Sequence, residues 1–416
     1  MRKYCFNPQG KSRKRISAKR VIAGILSVFL LAESIAAPLK EPKTVFAGDA
    51  EAISVTSESV ILMETESGAV IAEKNADTAR PIASVTKIMT LLLIMEALDS
   101  GKVKLSDTVT VSDYAASMGG SQVFLEPGET QNVDTMIKCI SISSANDACV
   151  AMAEHLAGSE GAFVEQMNAK AKALGMNNTI FLNCCGLDVT GHVSSARDVA
   201  LMSAELMKYH PHIKKYTTTW MDTIIHTTRH GSSEFGLANT NKLLKQYNGI
   251  TGLKTGSTDE AKYCLSATAE RNGVKLVAVV LAAPDTKTRF REAAALLDYG
   301  FGKCTVYTDD GADFPVSEIE VKKGQKETVK VRLKEPFRYV FTGGEDLSAV
   351  KRETVWNKDI KAPLSAGDTV GEYRYSLNGT SLGSVAIICT EEVKEISFGA
   401  SFIKCNDWFF RKTNAE

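Results

Sequence analysis

The sequence predicts an α+β fold, an antiparallel sheet with a helical part, followed by a small all-β domain. Three observations lead there. Strand patterns stand at 54–74 and again at 263–283 with a mainly helical stretch between them, so one sheet holds the first and last segments. From about Cys304 the chain turns to short β-rich runs separated by Gly324, Gly343-Gly344 and Asn378-Gly379, the punctuation of an all-β unit. With 416 residues, 44% hydrophobic and 24% charged, the chain can bury a substantial core and divide into two or three domains.

The N-terminus reads as an export signal. Eight basic residues (Arg2, Lys3, Lys11, Arg13, Lys14, Arg15, Lys19, Arg20) and no acid precede the end of a twelve-residue apolar run at 21–32, a signal-peptide layout. The run is shorter than the ~20 residues a spanning helix needs. Small-residue cleavage sites stand at Ser34-Ile35-Ala36 and Val45-Phe46-Ala47; the second is preferred because the polar Gly48-Asp49-Ala50 follows. Removing residues 1–47 takes away ten bases and two acids, which leaves a mature chain with eight net negative charges. With that balance and no basic patch interleaved with aromatics, nucleic acid is not an expected partner.

Residues 54–63 and 68–74 read as strands joined by the polar turn Glu64-Thr65-Glu66-Ser67. A helix follows from Ser84, and Val85, Ile88, Met89, Leu91, Leu92, Ile94, Met95 and Leu98 make it apolar nearly all round, so it lies inside the domain. Further helices are expected at 135–142, 145–156, 161–174 and 195–209, the last capped by serine in Ser194-Ser195-Ala196-Arg197-Asp198. Strands at 263–270 and 274–283 flank Asn272-Gly273, a hairpin signal, and helix returns at 287–299. Beyond it, β-runs are expected at 316–321, 328–333, 338–341, 369–375 and 384–389. The tail at 392–412 mixes Ile396, Phe398, Phe402, Ile403, Trp408, Phe409 and Phe410 with Lys394, Lys404, Arg411 and Lys412. Such a mixture fits either an amphipathic helix lying on a membrane or a last element packed on the β domain.

The nine cysteines (Cys5, Cys139, Cys149, Cys184, Cys185, Cys264, Cys304, Cys389, Cys405) are odd in number, irregularly spaced and without a Cys-x-x-Cys pair. Neither a disulfide framework nor a zinc site follows from that spacing, and buried free thiols are expected. The six histidines form no His-Glu-x-x-His motif. No metal and no cofactor is expected.

Three short strings concentrate the chemistry: Ser84-Val85-Thr86-Lys87, Ser144-Ala145-Asn146 and Lys254-Thr255-Gly256. Taken singly, Ser84 reads as a helix cap, Lys254 as a solvated side chain and Asn146 as a turn residue. Together they supply what acyl transfer needs, a nucleophile, a base, a proton shuttle and binding groups. Ser84 and Lys87 share one helix face, with Ser84 near the positive end of the helix dipole. A buried Lys87 beside Lys254 has its charged form disfavoured by desolvation and like charge, so it can act as a base. Ser144 can pass a proton to the departing amine while Asn146 orients substrate or Lys87. Lys254 adds positive potential, Thr255 binds a carboxylate, and Gly256 lets a substrate backbone approach. A terminal carboxylate as the recognised group points to the C-terminal end of a peptide. No Gly-x-Ser-x-Gly elbow surrounds Ser84.

Pro81-Ile82-Ala83-Ser84-Val85-Thr86-Lys87-Ile88-Met89-Thr90 resembles the nucleophile segment of D-alanyl-D-alanine carboxypeptidases, the low-molecular-mass penicillin-binding proteins of serine type. Gly120-Ser121-Gln122-Val123-Phe124-Leu125-Glu126-Pro127-Gly128-Glu129 resembles the stretch before their second motif, and Ser143-Ser144-Ala145-Asn146-Asp147-Ala148 that motif itself. Gly186-Leu187-Asp188, Asn239-Thr240-Asn241-Lys242-Leu243-Leu244 and Gly252-Leu253-Lys254-Thr255-Gly256-Ser257-Thr258 follow in family order. The resemblance spans about 50–303 strongly and the remainder in outline. It implies a penicilloyl-serine transferase (β-lactamase-like) fold and removal of the terminal D-alanine from peptidoglycan pentapeptide stems through an acyl-enzyme on Ser84, with β-lactams as inhibitors. Carried over, Lys87 is the base, and Ser144 with Asn146, then Lys254, Thr255 and Gly256, are the second and third motifs. Backbone N–H groups of Ser84 and Ser257 form the oxyanion hole, and Arg291 helps hold the substrate carboxylate.

The implied organisation is an export segment at 1–47, a catalytic domain at 48–303, a β-rich domain at 304–392 and a membrane-associating tail at 393–416. The site then faces the outside of the cytoplasmic membrane, with peripheral membrane contact through the tail. Two rivals differ in class. A class A β-lactamase usually has Asp where Ala145 stands and a glutamate that activates the deacylating water, for which the sequence offers no counterpart. A non-catalytic cell-wall-binding protein would keep the fold and bind stem peptide without releasing D-alanine; the intact motif set argues against it.

Overall fold

The computed structural model describes residues 43–47 and 50–403. Most of the expected export segment and the end of the tail lie outside them. Strands β1 (Lys43–Ala47), β2 (Ala50–Val55), β3 (Ser59–Glu64) and β4 (Val70–Lys74) open the fold. The strand expected at 54–63 is thus two strands. The break between them is fastened by Glu292, whose carboxylate accepts from Thr56 N, Thr56 Oγ1 and Ser57 N at 2.7, 2.7 and 3.1 Å.

A helical region follows, built on α1 (Lys87–Asp99), α2 (Val133–Ile142), α3 (Asn146–Ala157), α4 (Glu160–Ala173) and α5 (Ala196–Tyr209). Small two-stranded sheets interrupt it, β5 (Thr108–Thr110) with β6 (Thr130–Asn132), and β7 (Met221–Thr228) with β8 (Gly231–Ala238). The chain then returns as β9 (Ile250–Thr258), β10 (Lys262–Arg271) and β11 (Val274–Ala283), closed by α6 (Thr286–Lys303). Strand order is β2-β1-β4-β3-β11-β10-β9, and β3 pairs antiparallel with β11. The first and last segments therefore meet at the centre of one sheet. Asn272 (φ 49°) and Gly273 (φ 76°) both adopt the left-handed turn that the Asn-Gly pair signals between β10 and β11.

The central strands are apolar without alternation because both sheet faces are covered. On β11, Val277, Val279 and Leu281 join the cluster formed with the helical region, while Leu276, Ala278 and Val280 join a second cluster with Phe290, Leu296 and Leu297 of α6. Helix α1 is buried along most of its surface, as its composition predicts, with Leu93 and Glu96 half-buried on one stripe.

Beyond α6 the chain is β-rich: β12 (Thr305–Asp309), β13 (Glu318–Glu320), β14 (Thr328–Leu333), β15 (Phe337–Phe341), β16 (Val350–Trp356), β17 (Thr369–Leu377) and β18 (Thr380–Cys389). β12 pairs with β15, and the others form a sheet of order β13-β14-β18-β17-β16. Its core is aromatic, with Phe337 stacked on Tyr375 at 3.7 Å. Residues 398–403 are helical, with Phe398, Phe402 and Ile403 exposed. Among the described residues no helix is long and apolar enough to cross a membrane. All the described cysteines are free thiols, every one buried except the half-buried Cys304.

Candidate active site

Ser84 sits in a single 3-10 turn, Ala83–Thr86, that feeds directly into α1. The turn starts from Ala83 at φ 47°, a left-handed conformation costly for alanine. Its neighbours make the position unavoidable. A Cβ on Gly186 would lie 1.9 Å from Ala83 O, and one on Gly256 would lie 3.0 Å from Ser84 N and 2.7 Å from Ile82 O. The turn that carries Ser84 is therefore clamped between two glycine backbones, one from the loop before α5 and one from β9. Loop and turn are also joined by His192. Its Nδ1 lies 3.1 Å from Leu182 N and accepts that N–H, so its Nε2–H donates to Thr86 Oγ1 at 2.8 Å. Burial lowers the His192 pKa to about 4, which keeps the ring neutral in this bridge.

Lys87, fully buried in the first turn of α1, has three neighbours. Its Nζ lies 2.9 Å from Ser84 Oγ, 2.6 Å from Asn146 Oδ1 and 2.7 Å from the Cys185 carbonyl. Two of these partners are carbonyl oxygens and can only accept; the serine hydroxyl can accept or donate. A neutral amine has two N–H bonds and one lone pair, so filling both carbonyls leaves the lone pair aimed at Ser84 Oγ–H. The amide of Asn146 is fixed in the orientation this requires, because its Nδ2 donates to Gly119 O at 2.7 Å.

Ser144 stands between α2 and α3 at φ 62°, a second strained non-glycine residue. Behind it the buried Asp147 carboxylate accepts from Val123 N (3.1 Å) and Leu125 N (3.1 Å), which ties down the 120–129 stretch. Lys254 on β9 is also fully buried and donates to Ser144 Oγ at 2.8 Å. Burial first, and the Lys87 charge second, hold its amine well below the ordinary lysine range. The two motif lysines thus share one buried cleft, each bonded to a different serine. Thr255 Oγ1 lies 2.5 Å from Thr240 Oγ1.

The arginine assignment needs correction. Arg291 lies on the solvent side of α6, its side chain 67% exposed, and reaches Thr288 Oγ1 of its own helix at 3.3 Å. Arg289 faces inward instead. It is buried, donates from Nη1 to Gly256 O at 3.0 Å and to Cys264 O at 3.3 Å, and has a buried Nε without a protein partner. Helical spacing explains the swap, since residues two apart face different sides. Ser257 follows on β9, exposed at the rim. The structure thus brings Ser84, Lys87, Ser144, Asn146, Lys254, Thr255 and Gly256 into contact range of one another and leaves Arg291 outside. Sequence reasoning missed the Cys185 carbonyl, the Gly119 carbonyl and the His192 bridge. Backbone acceptors leave no residue-type signal, and His192 has the composition of any loop histidine.

A family model for D-alanyl-D-alanine carboxypeptidase matches residues 45–285. The chain belongs to that family. A second model, the C-terminal domain of penicillin-binding protein 5, matches residues 306–395. The carboxypeptidase is 43% identical over 354 residues to the D-alanyl-D-alanine carboxypeptidase DacF of Bacillus subtilis, covering 85% of this chain and 90% of that one. It is 35% identical over 381 residues to DacC of Escherichia coli, covering 88% and 93%. Among solved structures, penicillin binding protein 5 of Haemophilus influenzae superposes with a TM-score of 0.64 at 31% identity, over 83% of this chain and all of that one. The shared architecture is a penicilloyl-serine transferase fold with a helical part, followed by a small all-β domain. The protein is a serine-type D-Ala-D-Ala carboxypeptidase that acts on peptidoglycan stem peptides through an acyl-enzyme, in a penicillin-binding family that works at the extracytoplasmic cell surface.

Proposed function

We propose that Ser84 is the nucleophile and Lys87 the general base of this carboxypeptidase. The observation behind the assignment is the set of three Lys87 partners, which leaves a neutral amine one direction for its lone pair, toward Ser84 Oγ. Ser84 Oγ attacks the carbonyl of the penultimate D-alanine as its proton passes to Lys87 Nζ. The Asn146 and Cys185 oxygens then solvate the new ammonium, so the charge forms where acceptors already wait. Backbone N–H groups of Ser84 and Ser257 receive the oxyanion.

Because Lys254 donates to Ser144 Oγ, the Ser144 hydroxyl proton is free to point at the departing nitrogen. It leaves with D-alanine and is replaced from Lys87 through the same serine. Water then attacks the acyl carbonyl, giving its proton to Lys87; the ester bond to Ser84 Oγ breaks, Ser84 takes that proton back from Lys87, and the shortened stem departs. Thr255 and the Arg289 positive charge, held against Gly256 O, are assigned to the substrate's terminal carboxylate in place of Arg291.

Cleavage after Ala47 would remove β1 (Lys43–Ala47) from between β2 and β4, so an export segment ending at the earlier site, Ser34-Ile35-Ala36, together with peripheral attachment through the tail, completes this reading. The exposed Phe398, Phe402 and Ile403 on the helical 398–403 segment support attachment to the outer face of the cytoplasmic membrane. The test is labelling with fluorescent penicillin alongside D-alanine release from a pentapeptide. Wild-type protein should label once and release D-alanine, and Ser84→Ala should do neither. A Ser84→Ala variant that labels as well as wild type refutes the assignment.

A further inference from the structure

We propose that Glu160, Cys184 and Cys185 form a binding site for a thiophilic divalent cation of the zinc class, beneath the catalytic lysine. A carboxylate oxygen of Glu160 and the two Sγ atoms all lie within 4.8 Å of one another. Ligands at zinc sit 2.0–2.3 Å from the metal, hence about 3–4 Å apart, so closure asks for movements of about an ångström. Two thiolates and one carboxylate select zinc or cadmium over magnesium or calcium.

The surroundings are already arranged for ligation. Glu160 Oε1 accepts from Cys184 N at 3.0 Å and Oε2 from Tyr114 OH at 2.7 Å, which orients the carboxylate and leaves it lone pairs for a metal. Asn183 Oδ1 accepts from Gly186 N at 2.6 Å and from Leu187 N at 3.2 Å, so the turn that presents both thiols is built before any metal arrives. The thiols are buried while Glu160 is half-buried and Tyr114 half exposed, which gives an approach from the Glu160 side and a fourth position for water. Binding is neutral in charge, because two thiol protons leave as one dication enters. The site escapes any reading of sequence spacing, since Glu160 lies 24 residues before Cys184.

Its position links it to catalysis. The Cys185 carbonyl accepts from Lys87, and the Cys184 carbonyl accepts from Thr90 Oγ1 at 2.6 Å. A metal that draws the Cys185 side chain toward Glu160 moves the peptide that positions the base, so occupancy slows acylation.

The experiment is a cadmium titration of the reduced full-length protein, followed by the thiolate-to-cadmium ultraviolet band, with zinc as competitor. One equivalent should bind. Glu160→Gln and Cys185→Ser should each weaken binding about tenfold or more, while Cys389→Ser, in the β domain, should bind as wild type. Acylation by fluorescent penicillin should slow with zinc, recover with chelator, and lose its zinc sensitivity in Glu160→Gln. Absence of a saturable band in wild type overturns the site, as does unchanged affinity in Glu160→Gln together with a Cys184→Ser/Cys185→Ser double variant that melts normally. Stoichiometric binding with unaltered acylation overturns the link to Lys87.

Discussion

The cleft and the C-terminal β domain solve opposite problems within one chain. Around Ser84 the fold buries Lys87, Lys254 and Arg289, and holds Ala83 and Ser144 at positive φ. Each of these features costs stability, through desolvation of charge or backbone strain. The β domain instead invests in ring packing. Phe337 stacks on Tyr375, and the Tyr375 hydroxyl reaches Asp309 Oδ2 at 3.1 Å, where Arg352 also bonds at 3.2 Å. The comparison teaches that the costly features gather around the cleft, where the backbones of Gly186 and Gly256 close against the turn that carries Ser84. Phe337, by contrast, answers only to stability.

The sharpest way to break that contrast is Lys254→Met. Activity should fall about 10³-fold, because Ser144, the proposed proton donor, loses the group that aims it, and a positioned donor contributes on that scale, while the folded protein becomes more stable. The sign follows from the lowered pKa. Between its folded value and 10.5 the unfolded chain binds the proton that the folded chain does not, so wild-type stability rises with pH. The gain from Lys254→Met should therefore be largest at low pH and shrink as pH rises toward 10.5, which thermal melts across pH will show.

Phe337→Ala tests the other side. It should cost about 3–5 kcal/mol of stability, read by denaturant unfolding, and leave penicillin acylation of the folded molecules unchanged. A comparable loss of acylation would show that the β domain shapes the cleft.

His192 probes the border between the two kinds of investment, a neutral ring that braces the turn carrying Ser84. With a folded pKa of about 4 against 6.5, the unfolded chain binds more protons in this window. Stability is then full above pH 6.5 and is lost as pH falls toward 4, by about 3 kcal/mol in total. Protonation also forces the Leu182 N–H off Nδ1. His192→Gln should remove this acid-sensitive step from the stability profile.

Much of the architecture was legible because composition and burial agree. The all-round apolar face of 85–98 became α1, and the unalternating apolar run at 274–283 became β11, covered on both faces. The hairpin β7–β8 was not legible. On β7 the buried positions alternate but are filled by Ile224 and the polar His226 with an apolar Ile225 outward, and on β8 Gly231-Ser232-Ser233-Glu234 is polar and exposed, so hydropathy carries no period of two. β12 and β16 escaped for a similar reason, with mostly half-exposed residues. At the site, residue types reported the hydroxyls and amines but not the carbonyls that aim them, nor which of Arg289 and Arg291 turns inward. That choice depends on the rotation of α6, fixed by Phe290 and Leu297 packing against the sheet.

The rate of Ser84 acylation by penicillin as a function of pH, in wild type and Lys87→Ala, bears most directly on the proposed chemistry. Wild type should acylate readily, and Lys87→Ala should be slower by about 10²–10⁴-fold at each pH. A Lys87→Ala enzyme that keeps the wild-type rate and profile would contradict the assignment of the lysine as base.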